Sequence, residues 1–278
     1  MYYNDNTLVF FDGKWLKAKE LMISPYVQTM HYGSGVFEGI RSYLTPDGTR
    51  IFKSEEHYQR LLYSADKMHL KVDYSVNEFT KLSYQLLEKN NLSNAYLRPL
   101  IFAGENMSLT PTDKTHVMLS AWQWEKYLGT KLLDVMTSSY QRPNPSSCHV
   151  DAKVTGHYVN SILATTEAKQ KGFDEALLLD NNGFVAEGPG ANFFFEKDNV
   201  LYTSPLGNIL PGITRATMFE LCDELEFKLV EKQFSPEEVK GADSAFFTGT
   251  AAEVAGIASL DKVPFKLKWE DSMGSVLQ

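Results

Sequence analysis

Cysteines, long apolar runs and positive charge are all scarce in this chain of 278 residues. The two cysteines, Cys148 and Cys222, lie far apart and belong to no CxxC or His-rich motif, so we expect two free thiols and no metal site. No apolar run is long enough to span a bilayer, and the N-terminus lacks the basic and apolar regions of a secretory signal. A cytoplasmic protein without a membrane partner is predicted.

The charge balance excludes a second set of partners. The net charge is −8 and the pI is about 5.3, which argues against a general nucleic-acid or anionic-membrane surface. A small anion could still bind in a local basic pocket. Because aromatic residues make up 13% of the chain, pockets lined by rings are expected.

Two glycine-rich segments imitate nucleotide-binding motifs but lack their essential parts. The stretch HYGSGVFEG at residues 31–39 has neither GxGxxG spacing nor a Gly-Lys-Ser/Thr ending. Gly188-Pro189-Gly190 lacks the third glycine and leads into the strand-like run Asn192-Phe193-Phe194. Neither segment predicts a nucleotide site.

Hydrophobic patterning predicts many short strands and a few helices in two halves. Predicted strands are 8–11 and 14–16 around an Asp12-Gly13 turn, 35–43, 95–102, 117–122, 131–136, 175–180, 192–196, 200–202 and 245–248. Predicted helices are one beginning at Ser54 with a serine cap, 75–87, 158–171, 214–224 and a short one at Ser235. This pattern indicates an α+β fold, not a doubly wound one. The predicted division is an N-terminal α/β domain at 1–124, an interdomain loop at 125–131 and a C-terminal domain at 132–278 that carries Lys153.

Lys153 and Glu187 are the candidate chemical pair. Lys153 lies in DAKVTGHY, among small residues that leave room for a bulky group, and Glu187 opens the separate segment EGPGAN. An aldehyde cofactor with a pyridine ring needs a lysine to form a Schiff base and an acid to keep the ring nitrogen protonated. A lone surface lysine is the commoner occurrence, so the assignment depends on other parts of the chain.

Two further segments could bind an anion. In LPGITR (210–215), a tight turn leads into a helix whose first N–H groups are exposed. In TGTAAEV (248–254), hydroxyls and small residues would let backbone N–H groups approach an anion. Alone, each could equally be an ordinary loop-to-helix junction or a helix cap.

Taken in order, six motifs resemble the branched-chain amino acid aminotransferases, which are fold-type IV pyridoxal-phosphate enzymes. The motifs are HYGSGVFEGIRSY (31–43), AYLRPL (95–100), AKVTGHYVNS (152–161), EGPGANFF (187–194), LPGITR (210–215) and TGTAAEV (248–254). The resemblance implies a two-domain fold like that of D-amino acid aminotransferase, with the cofactor between the domains. It also implies a homodimer or a larger homo-oligomer.

The resemblance further implies roles for individual residues. Lys153 would form the Schiff base with pyridoxal 5'-phosphate and move the proton, Glu187 would bind the pyridine nitrogen, and Tyr158 would bind the phenolic oxygen. Arg60 would bind the phosphate together with the LPGITR and TGTAAEV segments. The implied cofactor-binding residues are Arg60, Lys153, Tyr158, Glu187, Leu210, Ile213, Thr214, Gly249 and Thr250.

The implied reaction is reversible transfer of the amino group from L-leucine, L-isoleucine or L-valine to 2-oxoglutarate. Aromatic rings would form the apolar box for the branched side chain. Arg98 would bind the second carboxylate of glutamate, and the Thr250–Ala251 turn with Tyr96 would bind the α-carboxylate. Met107 and Leu109 would close the box from a partner subunit's loop. The implied substrate-binding residues are Tyr32, Phe37, Tyr96, Arg98, Met107, Leu109, Trp124, Tyr127, Thr250 and Ala251.

The chain departs from the family pattern in two places. Ala191 stands where several relatives carry Glu, so hydrogen bonds made there in relatives are in doubt. The chain ends at Gln278, which we expect to reflect either a shorter natural form or a truncated one. Three alternatives stay open: a D-amino acid aminotransferase, an aminodeoxychorismate lyase, and a cofactor-binding protein with a decayed site.

Overall fold

The computed structural model describes residues 2–124, 128–129 and 131–278. Two compact units are present, Met1–Glu125 with Ala152–Gly156, and Lys126–Asp151 with His157–Gln278. The structure differs from the predicted division at the Lys153 segment, which belongs to the first unit because its backbone bonds to that unit's strands and helix. The boundaries at residues 124 and 132 stay a prediction.

The first unit contains a seven-stranded sheet with helices. Its strands are β1 (Leu8–Phe11), β2 (Lys14–Lys17), β3 (Gly35–Phe37), β4 (Ile40–Thr45), β5 (Gly48–Ile51), β6 (Ala95–Ala103) and β7 (Thr115–Trp122). Its helices are α1 (Gln28–Tyr32), α2 (Ser54–Lys67), α3 (Val76–Lys89) and a 3₁₀ turn at Ala18–Glu20. All strand pairs are antiparallel, in the order β2-β1-β7-β6-β4-β5, and β3 also pairs with β6.

The local turn and packing signals of the first unit are confirmed. Asp12 and Gly13 both have left-handed φ angles, 45° and 82°, as a two-residue hairpin turn requires. Apolar side chains of α2 and α3 form the core with the sheet, and the rings of Tyr58 and Phe79 stack at 5.0 Å between centroids.

One prediction in this unit is confirmed with an interruption, and one is wrong. The strand predicted at 35–43 keeps a single register against β6, with Phe37 opposite Leu100 and Ile40 opposite Leu97. The ladder is interrupted at Glu38-Gly39, because Pro99 accepts from the Glu38 N–H at 3.0 Å but has no N–H to donate in return. Ser54 does not cap α2. Lys53 holds the cap position with a left-handed φ of 50°, and Ser54 Oγ instead lies 2.9 Å from Thr80 Oγ1 on α3.

The second unit contains a nine-stranded sheet. Its strands are β8 (Leu133–Gln141), β9 (Glu175–Leu179), β10 (Val185–Glu187), β11 (Asn192–Lys197), β12 (Val200–Thr203), β13 (Leu229–Glu231), β14 (Ser244–Gly249), β15 (Glu253–Leu260) and β16 (Val263–Pro264). Its helices are α4 (Tyr158–Gln170), α5 (Ile213–Glu224), α6 (Pro236–Lys240) and α7 (Met273–Leu277), with a 3₁₀ turn at Trp269–Asp271. A further 3₁₀ turn, Thr155–His157, precedes α4.

The second sheet closes on itself. Strand β10 pairs with both β9 and β11, so the path β10-β9-β8-β15-β14-β11 returns to its start. Phe193, Phe195, Phe234 and Phe247 fill the core beneath this ring of strands. Closure leaves Glu187, the last residue of β10, in a packed interior position rather than at an open edge.

Both units combine sheets with helices, which confirms the predicted α+β class. Within the described residues, no helix has both the length and the apolar character that a membrane crossing requires.

We expect Ser75→Ala to lower the free energy of unfolding by about 1 kcal/mol, because it removes a helix cap. Ser75 Oγ accepts from the Glu78 N–H at 3.3 Å, and Glu78 Oε2 accepts from the Ser75 N–H at 2.8 Å. Urea unfolding measures the change. Ser146→Ala, at an exposed position in the loop after β8, is the control and should stay within about 0.5 kcal/mol of wild type. Equal effects of the two substitutions would contradict a capping role.

Candidate active site

The backbone of Lys153 is held from two sides within the first unit. Its N–H donates to Ser64 Oγ on α2 at 3.0 Å, and its carbonyl accepts from the Phe37 N–H on β3 at 3.1 Å. Val154 then forms an isolated antiparallel bridge with Val36. These contacts fix the point from which the lysine side chain extends.

Glycines let the lysine segment approach the chain before β3. The Gly156 N–H donates to the Gly33 carbonyl at 3.2 Å, and Thr155 Oγ1 donates to the same oxygen at 2.8 Å. A Cβ on Gly33 would lie 2.8 Å from Gly156 Cα, and Gly33 has a φ of 72°. The motif at residues 31–35 therefore provides close contact with the lysine segment and left-handed backbone.

An arginine surrounded by aromatic rings lies beside this segment. The Arg98 guanidinium carbon is 4.6 Å from the Phe37 ring centroid and 5.3 Å from that of Tyr96, whose hydroxyl accepts from Arg98 at 3.2 Å. The Lys153 Nζ lies 5.0 Å from the Phe37 centroid. Phe37 thus contacts both cationic side chains.

Tryptophans complete this aromatic group. The Trp124 ring packs edge-on against Tyr96 at 4.7 Å, and Trp122 lies 5.2 Å from the same ring. Within the described part of the chain, Arg98 Nε and Trp122 Nε1 are buried without a hydrogen-bond partner. The structure therefore brings together four of the predicted substrate residues, Phe37, Tyr96, Arg98 and Trp124.

Sequence reasoning missed a buried carboxylate in the first unit. Glu38 is fully buried at the break between β3 and β4, and it contacts Arg60 Nε at 2.6 Å and His57 Nδ1 at 2.7 Å. Burial raises the pKa of Glu38, but the charge of Arg60 and then that of His57 outweigh it and hold the pKa below its ordinary value. Burial lowers the pKa of His57, while its contact with Glu38 acts in the opposite direction.

A second buried carboxylate, Glu187, ends β10 in the second unit. Its Oε2 accepts from Asn192 Nδ2 at 2.9 Å, and its Oε1 accepts from the Leu210 N–H at 3.2 Å. Asn192 Nδ2 also donates to the Leu210 carbonyl at 3.0 Å. One amide side chain therefore fixes both the carboxylate and the loop that precedes α5.

Arg142 supplies a positive charge to Glu187, a contact that the sequence did not predict. Its Nε lies 2.8 Å from Glu187 Oε1. Arg142 Nε is nevertheless without a well-aligned hydrogen bond in the described structure, so the contact is an ion pair whose N–H is not directed at the oxygen. The Arg142 N–H donates to the Leu179 carbonyl at 2.8 Å, which places the arginine at the end of β9.

The two predicted anion-binding segments belong to the second unit. Helix α5 begins at Ile213 after Gly212, and no described side chain caps its first N–H groups. Asn192, which holds the loop before α5, pairs in register with Thr248 of β14. The turn at residues 250–252 follows β14 directly. Uncapped helical N–H groups and threonine hydroxyls together suit an anionic oxygen group.

The remaining predicted site residues have varied surroundings. Tyr32 donates its hydroxyl hydrogen to the Met107 carbonyl at 3.3 Å, whereas Leu109 is 86% exposed. Tyr158 is the first residue of α4. Ala191 is half-buried and packs against the second unit's core. Tyr127 lies outside the described residues.

Comparison with known proteins defines the class. The family model for amino-transferase class IV matches residues 35–260. The chain therefore belongs to the amino-transferase class IV family.

Three relatives are similar to this chain over most of its length. A branched-chain-amino-acid aminotransferase of Pseudomonas aeruginosa is 44% identical over 260 residues, which cover 91% of this chain and 85% of the relative. The structure of the Thermoproteus uzoniensis branched-chain aminotransferase with norvaline has a TM-score of 0.93 at 34% identity, covering 98% of this chain and 92% of the other. The structure of a T.th. branched-chain amino acid aminotransferase, complexed with N-(5'-phosphopyridoxyl)-L-glutamate, has a TM-score of 0.90 at 35% identity, covering 94% and 88%. The resemblance seen in the six motifs is confirmed.

We expect Gly212→Ala to destabilise the protein by about 1–3 kcal/mol, as overpacking does. Its Cβ would lie 1.8 Å from Asn192 Oδ1, so Asn192 could not keep its contacts with Glu187 and Leu210. Gly190→Ala is the matched control, because a Cβ there meets no atom within 4 Å and the backbone is not left-handed. Thermal and urea unfolding compare the two variants. A Gly212→Ala protein as stable as Gly190→Ala would show that the loop before α5 is not closely packed on Asn192.

Proposed function

We propose that this protein is a branched-chain-amino-acid aminotransferase. It transfers the amino group of L-leucine, L-isoleucine or L-valine reversibly to 2-oxoglutarate, giving the branched 2-oxo acid and L-glutamate. The observation that supports this activity most strongly is the 44% identity to the Pseudomonas aeruginosa branched-chain-amino-acid aminotransferase over 91% of this chain. No observation favours the lyase or the D-amino acid enzyme over this activity.

Pyridoxal 5'-phosphate is the proposed cofactor, and the residues present fit it. Glu187 is 5% exposed and is surrounded by an amide, a backbone N–H and a guanidinium, so it offers a fixed anion to a ring nitrogen. The uncapped start of α5 offers N–H groups to a phosphate. A phosphopyridoxyl compound is part of the related T.th. complex.

Each proposed cofactor-binding residue has a defined role. When bound, the cofactor supplies an electron-accepting ring and an aldehyde that Lys153 can hold covalently. Glu187 would bind the ring nitrogen and Tyr158 the phenolic oxygen. The residues proposed for the phosphate are Arg60, Leu210, Ile213, Thr214, Gly249 and Thr250.

Lys153 and Glu187 are the side chains proposed to control proton transfer. Lys153 Nζ would move a proton between the substrate Cα and the cofactor's aldehyde carbon, in one direction in the first half of the reaction and in the reverse direction in the second, which requires a free amine close to both carbons. Its clamped backbone limits the positions that Nζ can reach, because only the side chain can move. The anion of Glu187 would favour the protonated form of the ring nitrogen.

Two substrates of different polarity must use one set of side chains. The rings of Phe37, Tyr96 and Trp124 provide apolar area for a branched aliphatic side chain. Arg98 lies among these rings with a buried Nε that lacks a partner in the described structure, and so can bind the second carboxylate of glutamate. Thr250 and Ala251 are proposed to bind the α-carboxylate. Tyr32, Met107, Leu109 and Tyr127 complete the proposed substrate set.

A homodimer or larger homo-oligomer is the proposed assembly. Apolar side chains are exposed on two neighbouring segments of the first unit, which Gln28 Nε2 joins by donating to the Ser108 and Thr110 carbonyls, both at 2.9 Å. In these segments, residues 22–32 and 107–110, Met22 is 89% exposed, Leu109 86%, Met30 65% and Tyr26 63%. Apolar groups exposed together in this way are typical of protein contacts. A cytoplasmic location is proposed with this assignment.

A panel of amino donors with 2-oxoglutarate tests the proposed reaction. We expect glutamate from L-leucine, L-isoleucine and L-valine, with differences in kcat/KM within about 10- to 200-fold, because a methylene changes binding in an apolar pocket only modestly. D-Alanine should give background rates. Glutamate from D-alanine but not from L-leucine would contradict the proposal, and pyruvate release from aminodeoxychorismate would indicate the lyase instead.

Replacing the reactive lysine tests its assignment. We expect Lys153→Ala to lose the cofactor absorbance band that shifts with leucine and to reduce turnover about 100- to 10,000-fold, since the group that moves the proton is gone. Lys17→Ala, at an exposed end of β2, is the control and should retain both. Absorbance spectra and glutamate formation measure the outcome. Retention of the band and of full turnover in Lys153→Ala would assign the chemistry to another lysine.

A further inference from the structure

The buried Glu38 carboxylate has no role in the chemistry proposed so far. All four described contacts of its side chain are with donors: Arg60 Nε at 2.6 Å, an Arg60 terminal nitrogen at 2.9 Å, His57 Nδ1 at 2.7 Å and the Gly39 N–H at 3.2 Å. The first two contacts form a bidentate pair, one carboxylate oxygen to each guanidinium nitrogen.

Burying such an ion pair adds little to the stability of a protein. Removing a carboxylate and a guanidinium from water costs several kcal/mol per ion, and apolar residues of similar size often pack at least as well. The two groups are not equally buried, because the Glu38 side chain is 0% exposed and that of Arg60 is 12% exposed. The carboxylate is thus the fixed interior support, and the guanidinium lies nearer the surface of the unit.

The bidentate contact fixes the plane of the guanidinium. An arginine side chain has several rotatable bonds, and its head group turns freely unless two of its nitrogens are held. His57, fully buried on the same helix as Arg60, holds Glu38 in turn through Oε2. His57, Glu38 and Arg60 therefore form a chain of contacts that ends at the head group proposed to bind phosphate.

We propose that Glu38, supported by His57, is a positioning residue that orients the Arg60 guanidinium toward the cofactor's phosphate. The inference rests on the proposed function, since it needs pyridoxal 5'-phosphate as the ligand of Arg60. Glu38 acts through Arg60 and touches neither cofactor nor substrate.

Charge and orientation predict opposite results, which makes the proposal testable. The negative charge of Glu38 offsets the positive charge of Arg60 and repels a phosphate. Coulomb interactions alone would therefore make Glu38 weaken phosphate binding. Removing that charge would then tighten binding. If orientation dominates, removing the support lets the guanidinium turn, and phosphate binding weakens.

The test compares two ligands of the apoprotein. Pyridoxal 5'-phosphate and pyridoxal, which lacks the phosphate, are titrated separately and followed by absorbance and by quenching of tryptophan fluorescence. For Glu38→Gln we expect the Kd of pyridoxal 5'-phosphate to rise about 10- to 100-fold, the scale of one lost charged hydrogen bond, while the Kd of pyridoxal stays unchanged. Glu55→Gln, an exposed carboxylate on α2 that accepts from Gln59, is the matched control and should change neither.

A second variant separates geometry from charge and from misfolding. Glu38→Asp keeps the charge but is one methylene shorter, so it cannot keep both contacts with Arg60, and we expect the same selective loss. In an Arg60→Gln background, Glu38→Asp should cause no further loss for pyridoxal 5'-phosphate. Tighter phosphate-ligand binding by Glu38→Gln, an equal loss for both ligands, or additive losses in the double variant would each overturn the proposal. A wild-type protein that binds neither ligand would instead overturn the proposed function.

Discussion

A carboxylate can be buried only where the fold supplies donors for it, and this constraint organises both units. Glu38 in the first unit and Glu187 in the second are each buried, and each has an arginine nitrogen within 2.8 Å. Neither carboxylate would be tolerated without those partners. Glu38 lies between β3 and β4, opposite Pro99 of β6, and Glu187 lies where the second sheet closes at β10.

Local signals in the sequence were sufficient for much of the fold. The Asp12-Gly13 turn, the Ser75 cap of α3 and the helix after Ser235 depend on neighbours a few residues away, and they form as expected. The departures from prediction depended on distant partners. Ser54 has a hydroxyl on α3 available and so does not cap its own helix, and Pro99 on β6 has no N–H to complete the ladder opposite Glu38. Periodicity alone carries no information on either contact.

The candidate site divides in the same way. The family motifs pointed to Phe37, Tyr96 and Arg98. Tyr96 and Arg98 are alternate residues of β6 and project to the same side of the sheet, and Phe37 of β3 pairs with Leu100, the next residue of β6 on that side. Arg142 carried no recognisable signal. It lies in an irregular stretch beside a proline, and only the pairing of β8 with β9 brings it to Glu187.

Glycine positions show how one pattern can suggest the wrong ligand. Residues 31–39 and 188–190 look like nucleotide loops because such loops also need glycine where backbones approach closely. Here the approaching group is protein: Gly156 for Gly33 and the Phe247 ring for Gly188. At these two positions glycine indicates a close approach by another atom but not what that atom belongs to. The acid at the end of β10, the lysine whose backbone is bonded to β3 and the uncapped start of α5 are the features on which the proposed chemistry rests, because each has a charge or a donor that a packing contact does not need.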